Sequence, residues 1–398
     1  MTEPAPKVHP LCPLDRLDAY PAYNALRRDD PVPQMKLPFG EPVWMATRHA
    51  DVRAFLLESR FSRKAALDKD APGFSPGGYA HTIPFMDAPE HTEARRMVAR
   101  ALTKKRIEGL RPRIESVAEG LIDAMVAQGD SADLVSALAK PFPVAVNCEM
   151  YAVPEEDREQ FHSWSAALLV TAGLTPQEFM SNFMGLMEYT SSLIARRRKE
   201  PGDDLVSALV AQWDAQDRFT EEDLCKAVIS LLLGGHDPVT AHIANSVYVL
   251  LGQPEKYREL CERPEIVPTA VEELLRYVSI GDIFGFGSYA VEDVEIGGHT
   301  VREGEPMLAL LASANRDAEV FENPDTLDLT REHNPHVAFG HGPHYCAGTA
   351  LARVELQIVF AALTRRLPTL RLGPGDPAQW WHEMVTVIRS LRTLPVEW

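Results

Sequence analysis

Paired cysteines, long apolar runs and a surplus of positive charge are all missing from this chain of 398 residues. The five cysteines are Cys12, Cys148, Cys225, Cys261 and Cys346, and no two fall within four positions of each other. No C-x-x-C pair exists to grip zinc, and an odd, scattered set makes no disulfide framework. Such usage suits a reducing compartment. No uncharged apolar run reaches the roughly 18 residues of a membrane span. The first residues lack the apolar centre of a signal peptide. A cytoplasmic protein that keeps off membranes is the expectation. Acids outnumber bases 57 to 40, a formal charge of −17. A net anion of that size repels phosphates, so nucleic acid is not an expected partner. Repeats, low-complexity segments and flexible linkers are missing too, while the length alone suggests about two or three domains.

Helical periodicity dominates what is present. From about residue 91 to 275 apolar residues recur at three and four positions. Leu110, Ile114, Val117, Leu121, Ile122 and Met125 form one stripe, predicted to face a core. Thr220 with Asp223 reads as a helix cap, and the segment to Leu251 is the longest helix candidate, about 45–50 Å if continuous. Its middle, Gly234-Gly235-His236-Asp237-Pro238, breaks helix rules. Such violations are expected where function is placed. Strands are expected at 43–47, 306–312 and 384–389, with hairpins between 291 and 304. Residues 61–90 read as a long irregular loop. The fold class is mainly α with small β sheets (α+β).

Two catalytic patterns fail on context. Gly73-Phe74-Ser75-Pro76-Gly77 matches G-x-S-x-G, but no strand precedes it and Gly78 follows instead of a helix. A hydrolase is therefore set aside. Gly285-x-Gly287-x-x-Ala290 leads into a strand pattern, not the helix a dinucleotide fingerprint needs.

The sharpest feature runs Phe339-Gly340-His341-Gly342-Pro343-His344-Tyr345-Cys346-Ala347-Gly348. Gly340 and Gly342 permit a tight backbone course. Cys346 precedes a predicted helix from about Ala347 to Arg366, whose N-terminal N–H groups favour a thiolate. Gly348 leaves room for a flat group. A thiolate so placed suits an iron ligand; taken alone, the cysteine could equally be a buried structural one.

The whole ten-residue pattern resembles the haem-binding signature of the cytochrome P450 family, matched at every fixed position. Glu273-Leu-Leu-Arg276, Ala314-Asn-Arg-Asp317 and His91-Thr-Glu-Ala-Arg95 resemble further family elements in order and spacing. The resemblance covers nearly the whole chain, which implies a single domain over residues 1–398. It implies the P450 fold, haem b as cofactor and Cys346 as the proximal thiolate and metal ligand. It further implies that Phe339 lies near the sulfur and Gly348 beside the haem. His91, Arg95 and His344 would pair with propionates, and Glu273 with Arg276 would form a structural ion pair that Arg331 joins. Without that context, Glu273 and Arg276 are an ordinary i, i+3 pair.

Two departures bear on chemistry. The family usually carries an acid followed by Thr in its central helix; here the pair is Asp237 and Pro238. Proline has no hydroxyl to relay a proton. Thr240 lies about 200° around the helix from Pro238 and substitutes poorly. Asp237, His236, water or a polar group of the substrate must then supply protons, so Asp237, His236 and Pro238 form the catalytic candidates. Second, Ser288 stands where the family commonly has Arg, unless the local alignment is shifted. The pocket candidates are Leu233, Gly234, Phe284, Phe286, Met384 and Val385, with His236, Thr386 and Val387 beside them. Such walls suit a hydrophobic, aromatic substrate. The resemblance implies O₂-dependent oxidation in secondary metabolism. The outcome would be hydroxylation or radical C–C or C–N coupling of aromatic molecules such as cyclic dipeptides. A non-catalytic haem-binding sensor or ligand-binding protein is the alternative.

One basic run stands out in the acidic chain. Arg95, Arg96, Arg100, Lys104, Lys105 and Arg106 occur with no acid between Glu93 and Glu108. Helical spacing would put Arg96, Arg100 and Lys104 on one face. The run is either a solvated face or the docking site of a ferredoxin-type electron donor, itself served by a reductase.

Overall fold

A computed structural model describes residues 7–8, 21–73, 82–169, 176–216, 219–281, 287–382 and 388–398. The expectations placed on Phe284, Phe286, Met384, Val385, Thr386 and Val387 fall outside the described residues, as does Ser75 of the rejected hydrolase pattern.

The chain opens with β1 (Lys7–Val8), α1 (Pro21–Asp29), β2 (Gln34–Lys36), β3 (Val43–Ala46), α2 (His49–Leu57) and β4 (Phe61–Ser62). A helical stretch follows: α3 (Glu90–Ala101), α4 (Lys104–Val126), the short β5 (Ser131–Asp133), α5 (Pro141–Tyr151), α6 (Arg158–Leu169), α7 (Pro176–Lys199) and α8 (Leu205–Trp213). It continues through α9 (Glu221–Gly234), α10 (Asp237–Leu251), α11 (Pro254–Glu262) and α12 (Val267–Tyr277). Then come β6 (Ser288–Ala290), β7 (Val294–Ile296), β8 (His299–Val301), β9 (Pro306–Ala309) and α13 (Leu311–Ala314). Last are α14 (Thr349–Arg366), β10 (Arg371–Leu372) and β11 (Pro395–Glu397).

These elements group into two compact units. One takes Met1–Thr92, Pro268–Cys346 and Trp381–Arg389; the other takes Glu93–Val267, Ala347–Trp380 and Ser390–Trp398. The first is built on a six-stranded mixed sheet, ordered β1-β2-β3-β9-β6-β4. Its centre is the parallel pair β3 and β9, in which Met45 faces Leu308 and Ala46 faces Ala309. Alternate residues feed two separate cores. Met307 and Ala309 pack with Val52, Phe55 and Phe61, whereas Leu308 and Leu310 pack with Tyr23, Met35 and Met45. A strand covered on both faces reads as an unbroken apolar run, as Met307-Leu-Ala-Leu-Leu does. The strand expected over 306–312 ends at Ala309, because Leu311-Ala-Ser-Ala314 turns into helix. The hairpin expected near 291–304 is β7 with β8, turning at Gly297 and Gly298, whose φ values are 58° and 80°.

The second unit is helical. α4 packs on α14 and α5, and α10 packs on α14 and α11. α10 is buried nearly all round, from Val239 to Val247. A helix covered on every side is central to its unit. In α4 the core face is Ile107, Leu110, Ile114, Ala118, Ile122 and Met125, while Val117 and Leu121 are only half-buried. β10, β11 and β5 form a small antiparallel sheet. Among the described residues no helix is long and apolar enough to cross a membrane.

Two expected helices are each two. The stretch from Thr220 to Leu251 is α9 and α10, parted at Gly235 and His236. The supposed single basic face is likewise divided. Arg96 and Arg100 lie on α3, but Thr103 caps a new helix by accepting from the Arg106 N–H at 3.3 Å, so Lys104 opens α4. A Thr at the cap position satisfies one of the orphan N–H groups that every helix start carries.

Candidate functional site

In the first unit the segment leading to Cys346 is held at its base by an ionic cluster. Glu273 and Arg276 have no exposed side-chain surface. Arg276 donates to both oxygens of Glu273, Nη2 to Oε1 at 2.7 Å and Nε to Oε2 at 2.8 Å. Arg331 Nε and Asn334 Nδ2 each donate to Oε2 at 3.1 Å, and the Asp328 N–H donates to Oε1 at 3.0 Å. A buried carboxylate so fully bonded has its desolvation cost offset. Arg276 Nη1 also donates to the Asn315 carbonyl, at 2.9 Å, and Asn315 Oδ1 accepts from the Val337 N–H at 2.8 Å. The cluster thus fixes the point where the loop begins.

From there two glycines shape the path. Gly340 and Gly342 have φ values of 73° and 70°. A Cβ on Gly342 would lie 2.5 Å from the Leu56 carbonyl oxygen of α2, so only glycine fits there. The Cys346 N–H donates to the Phe339 carbonyl at 3.0 Å, closing the loop. Cys346 lies three residues before α14, and Gly348 occupies the helix's N-cap.

Cys346 is exposed, unlike the other described cysteines. Burial pushes the Cys148 and Cys225 thiols up to about 11 and raises Cys261 as well, so these three stay protonated and inert. From Ala338 to Ala350 no residue is buried, although the run includes Phe339, Ala347 and Ala350. A soft sulfur donor at a helix start, on an uncovered apolar run, fits a flat iron cofactor. Nearby, the His91 and His344 rings stack with centroids 3.8 Å apart. His91 is 3% exposed, and its N–H bonds to the Asp87 carbonyl at the start of α3. Arg95 follows one turn along α3 and is half-buried. Paired imidazoles suit carboxylate groups. Ser288 is buried in β6, paired with Met307, so no cation stands at that position.

In the second unit the junction of α9 and α10 carries the catalytic candidates. His236 is buried with φ −102° and ψ −75°, and its Nδ1 lies 2.9 Å from Asp237 Oδ1. Asp237 is half-exposed. Pro238 sits in the first turn of α10, where a missing N–H costs nothing. Leu233 is half-buried and Gly234 exposed, and among the described residues a Cβ on Gly234 would meet nothing within 4 Å. Thr240 is 5% exposed, and its Oγ1 has no hydrogen-bond partner.

Two buried polar residues of this unit carried no signal in the sequence. Asn147 of α5 reaches the end of α9, donating Nδ2 to the Leu232 carbonyl at 3.5 Å. Glu355 of α14 is buried with one oxygen unpartnered. No spacing marks either one: Glu149 stands two residues from Asn147, and Arg353 and Gln357 flank Glu355 on α14.

The comparisons with known proteins bear on this geometry. A family model described as "Cytochrome P450" matches residues 155–369. The chain is 45% identical, over all of both chains, to nocardicin C N-oxygenase of Nocardia uniformis subsp. tsuyamanensis. It is 43% identical, again over all of both chains, to mycinamicin IV hydroxylase/epoxidase of Micromonospora griseorubida. Among solved structures, the mixed-function P450 MycG superposes with a TM-score of 0.94 at 43% identity, covering 99% of this chain and 100% of that one.

Proposed function

Because the chain belongs to the cytochrome P450 family and takes haem b as its cofactor, we propose that Cys346 is its iron ligand and that its reaction is oxygen insertion. The protein is a P450 monooxygenase of secondary metabolism, acting on a small molecule with O₂ and redox partners. The single observation behind the ligand assignment is the exposed Cys346 at the start of α14, at the end of the glycine-shaped loop. Support for insertion over coupling comes from the relatives, which are named as an N-oxygenase and a hydroxylase/epoxidase. Neither radical coupling nor a non-catalytic sensor has comparable support. One catalytic domain spanning 1–398, both units included, is part of the same reading.

Haem b, when bound, supplies the iron at which dioxygen is activated. The rest falls to the chain. Cys346 holds the iron as a thiolate stabilised by the N–H groups at the start of α14. His91, His344 and Arg95 hold the propionates by charge-assisted hydrogen bonds. Phe339 and Gly348 flank the sulfur. His236 and Asp237, bonded at 2.9 Å, hold and pass a proton in place of the hydroxyl that Pro238 lacks. Leu233 and Gly234 line the space for a hydrophobic substrate. Arg96, Arg100, Lys104 and Lys105 receive a ferredoxin-type donor.

Cys346→Ser tests the ligand. The purified variant should lose the thiolate-type spectrum of the reduced carbon monoxide complex. A variant that keeps that spectrum would overturn the assignment.

A further inference from the structure

At the end of α9 the helical hydrogen-bond ladder tightens and then fails. The Gly235 N–H is shared between the Leu231 and Leu232 carbonyls, at 3.1 and 3.2 Å. The His236 N–H turns to the Leu233 carbonyl at 3.4 Å. In a regular helix His236 would donate to Leu232, so the Leu232 carbonyl has lost its ordinary partner. Across from it stands α5. There Tyr151 donates its hydroxyl to the Val228 carbonyl at 3.4 Å, and one turn away Asn147 donates Nδ2 to Leu232 at 3.5 Å. Positions 147 and 151 are one helical turn apart, as are 228 and 232. One face of α5 therefore supplies donors to successive turns of α9, the second of them at the break itself.

Asn147 is expensive in this place. It is 1% exposed on a helix whose Phe142, Val144, Val146, Met150 and Tyr151 are also buried, and among the described residues its Oδ1 has no hydrogen-bond partner. A buried amide that is half satisfied destabilises relative to an apolar isostere. Its oxygen also sits over Gly235, where a Cβ would approach it to 3.3 Å. An apolar side chain would fill the same volume without leaving an oxygen unsatisfied. What it could not do is bond the Leu232 carbonyl, which otherwise keeps only its share of the Gly235 N–H.

We infer that Asn147 is a positioning residue that anchors the α9–α10 break in one geometry and thereby sets where the His236–Asp237 pair stands. The inference concerns second-unit geometry; its catalytic consequence rests on the proton-delivery reading above. Nothing in it requires Asn147 to touch substrate or cofactor.

Amide hydrogen exchange of the holoenzyme tests it. In Asn147→Leu the amides of Gly235 and His236 should exchange at least ten times faster than in the wild type, with a melting temperature equal or higher. Tyr151→Phe, which removes only the donor one turn earlier, should leave those two amides unchanged. Asn147→Asp, whose carboxyl burial keeps protonated and able to donate, should exchange like wild type at pH 6. Wild-type exchange in Asn147→Leu would overturn the inference. A second readout separates it from the reading beneath. With a surrogate ferredoxin and its reductase, the share of electrons recovered as hydrogen peroxide should rise severalfold in Asn147→Leu. Faster exchange with unchanged peroxide would keep the positioning role and sink the proton relay.

Discussion

Glu355 is 1% exposed on α14, and desolvation pushes its carboxyl well above the usual carboxylate range. The folded protein therefore holds that proton at pH values where an ordinary carboxyl has lost it. The unfolded chain loses that proton as pH rises past the ordinary carboxylate pKa, while the folded chain keeps it. Above that point the folded state holds more protons, so stability falls with rising pH, by up to about 1.4 kcal/mol per pH unit, until the folded carboxyl also ionises. Glu355→Gln removes this dependence. The melting temperature of the variant relative to wild type should climb as pH rises above the ordinary carboxylate range; parallel curves would contradict the raised carboxyl. The contrast with Cys346 shows what single residues disclose. Cys346 was legible because nine neighbours fix its surroundings through glycines and a helix start. Glu355 and Asn147 were not, because their environment is made by helices distant in sequence. The same holds for Glu273, whose i, i+3 partner was visible, while Asn334 and the Asp328 N–H were not.

The α9–α10 junction shows how an element can be mistaken for its neighbour. The helical apolar pattern runs through Thr220–Leu251, and periodicity alone cannot see a break that keeps phase. Gly234, Gly235 and Pro238 marked the place, and the structure turns the apparent cost of Pro238 into an ordinary first-turn residue of α10. Pro238→Thr should accordingly leave the fold intact, costing about 0.4–1 kcal/mol through the freer unfolded chain. It would add a hydroxyl beside Asp237. If His236 and Asp237 alone deliver protons inefficiently, product formed per electron should rise and hydrogen peroxide fall. Unchanged coupling would mean that proton delivery does not limit this enzyme. Strands followed a similar division. β3, β9 and the β7–β8 hairpin carry apolar runs or turn residues and were legible. β5, β10 and β11 are two or three residues long and owe their form to one another, through pairings such as Val396 with Ala132.

At the scale of the molecule, charge is the feature that local structure does not explain. The net charge is −17, yet Arg96, Arg100, Lys104 and Lys105 are all exposed within ten positions. The division between α3 and α4 sharpens the point. Lys104, Lys105 and Arg106 fill the first turn of a 23-residue helix, where no acid stands. The positive end of a helix dipole favours anions there, and a cation opposes it by roughly 0.3–1 kcal/mol. Arg106 recovers some of this by donating to the Ala101 carbonyl at 2.6 Å and facing Asp203 at 3.6 Å. Lys104 is exposed at the helix start, and its attraction to Glu108 one turn on is weaker than that of Arg111 for the same carboxylate. A residue that weakens its own helix yet adds to a dense basic run in an acidic chain fits a site that attracts an acidic electron donor. Lys104→Glu should then split stability from function. The variant should melt at the same temperature or higher, because a glutamate favours the helix start. Its reduction by ferredoxin should slow several-fold at low ionic strength, and the difference should shrink as salt screens the attraction. Equal reduction rates for the two proteins at low salt would return the run to a solvated face.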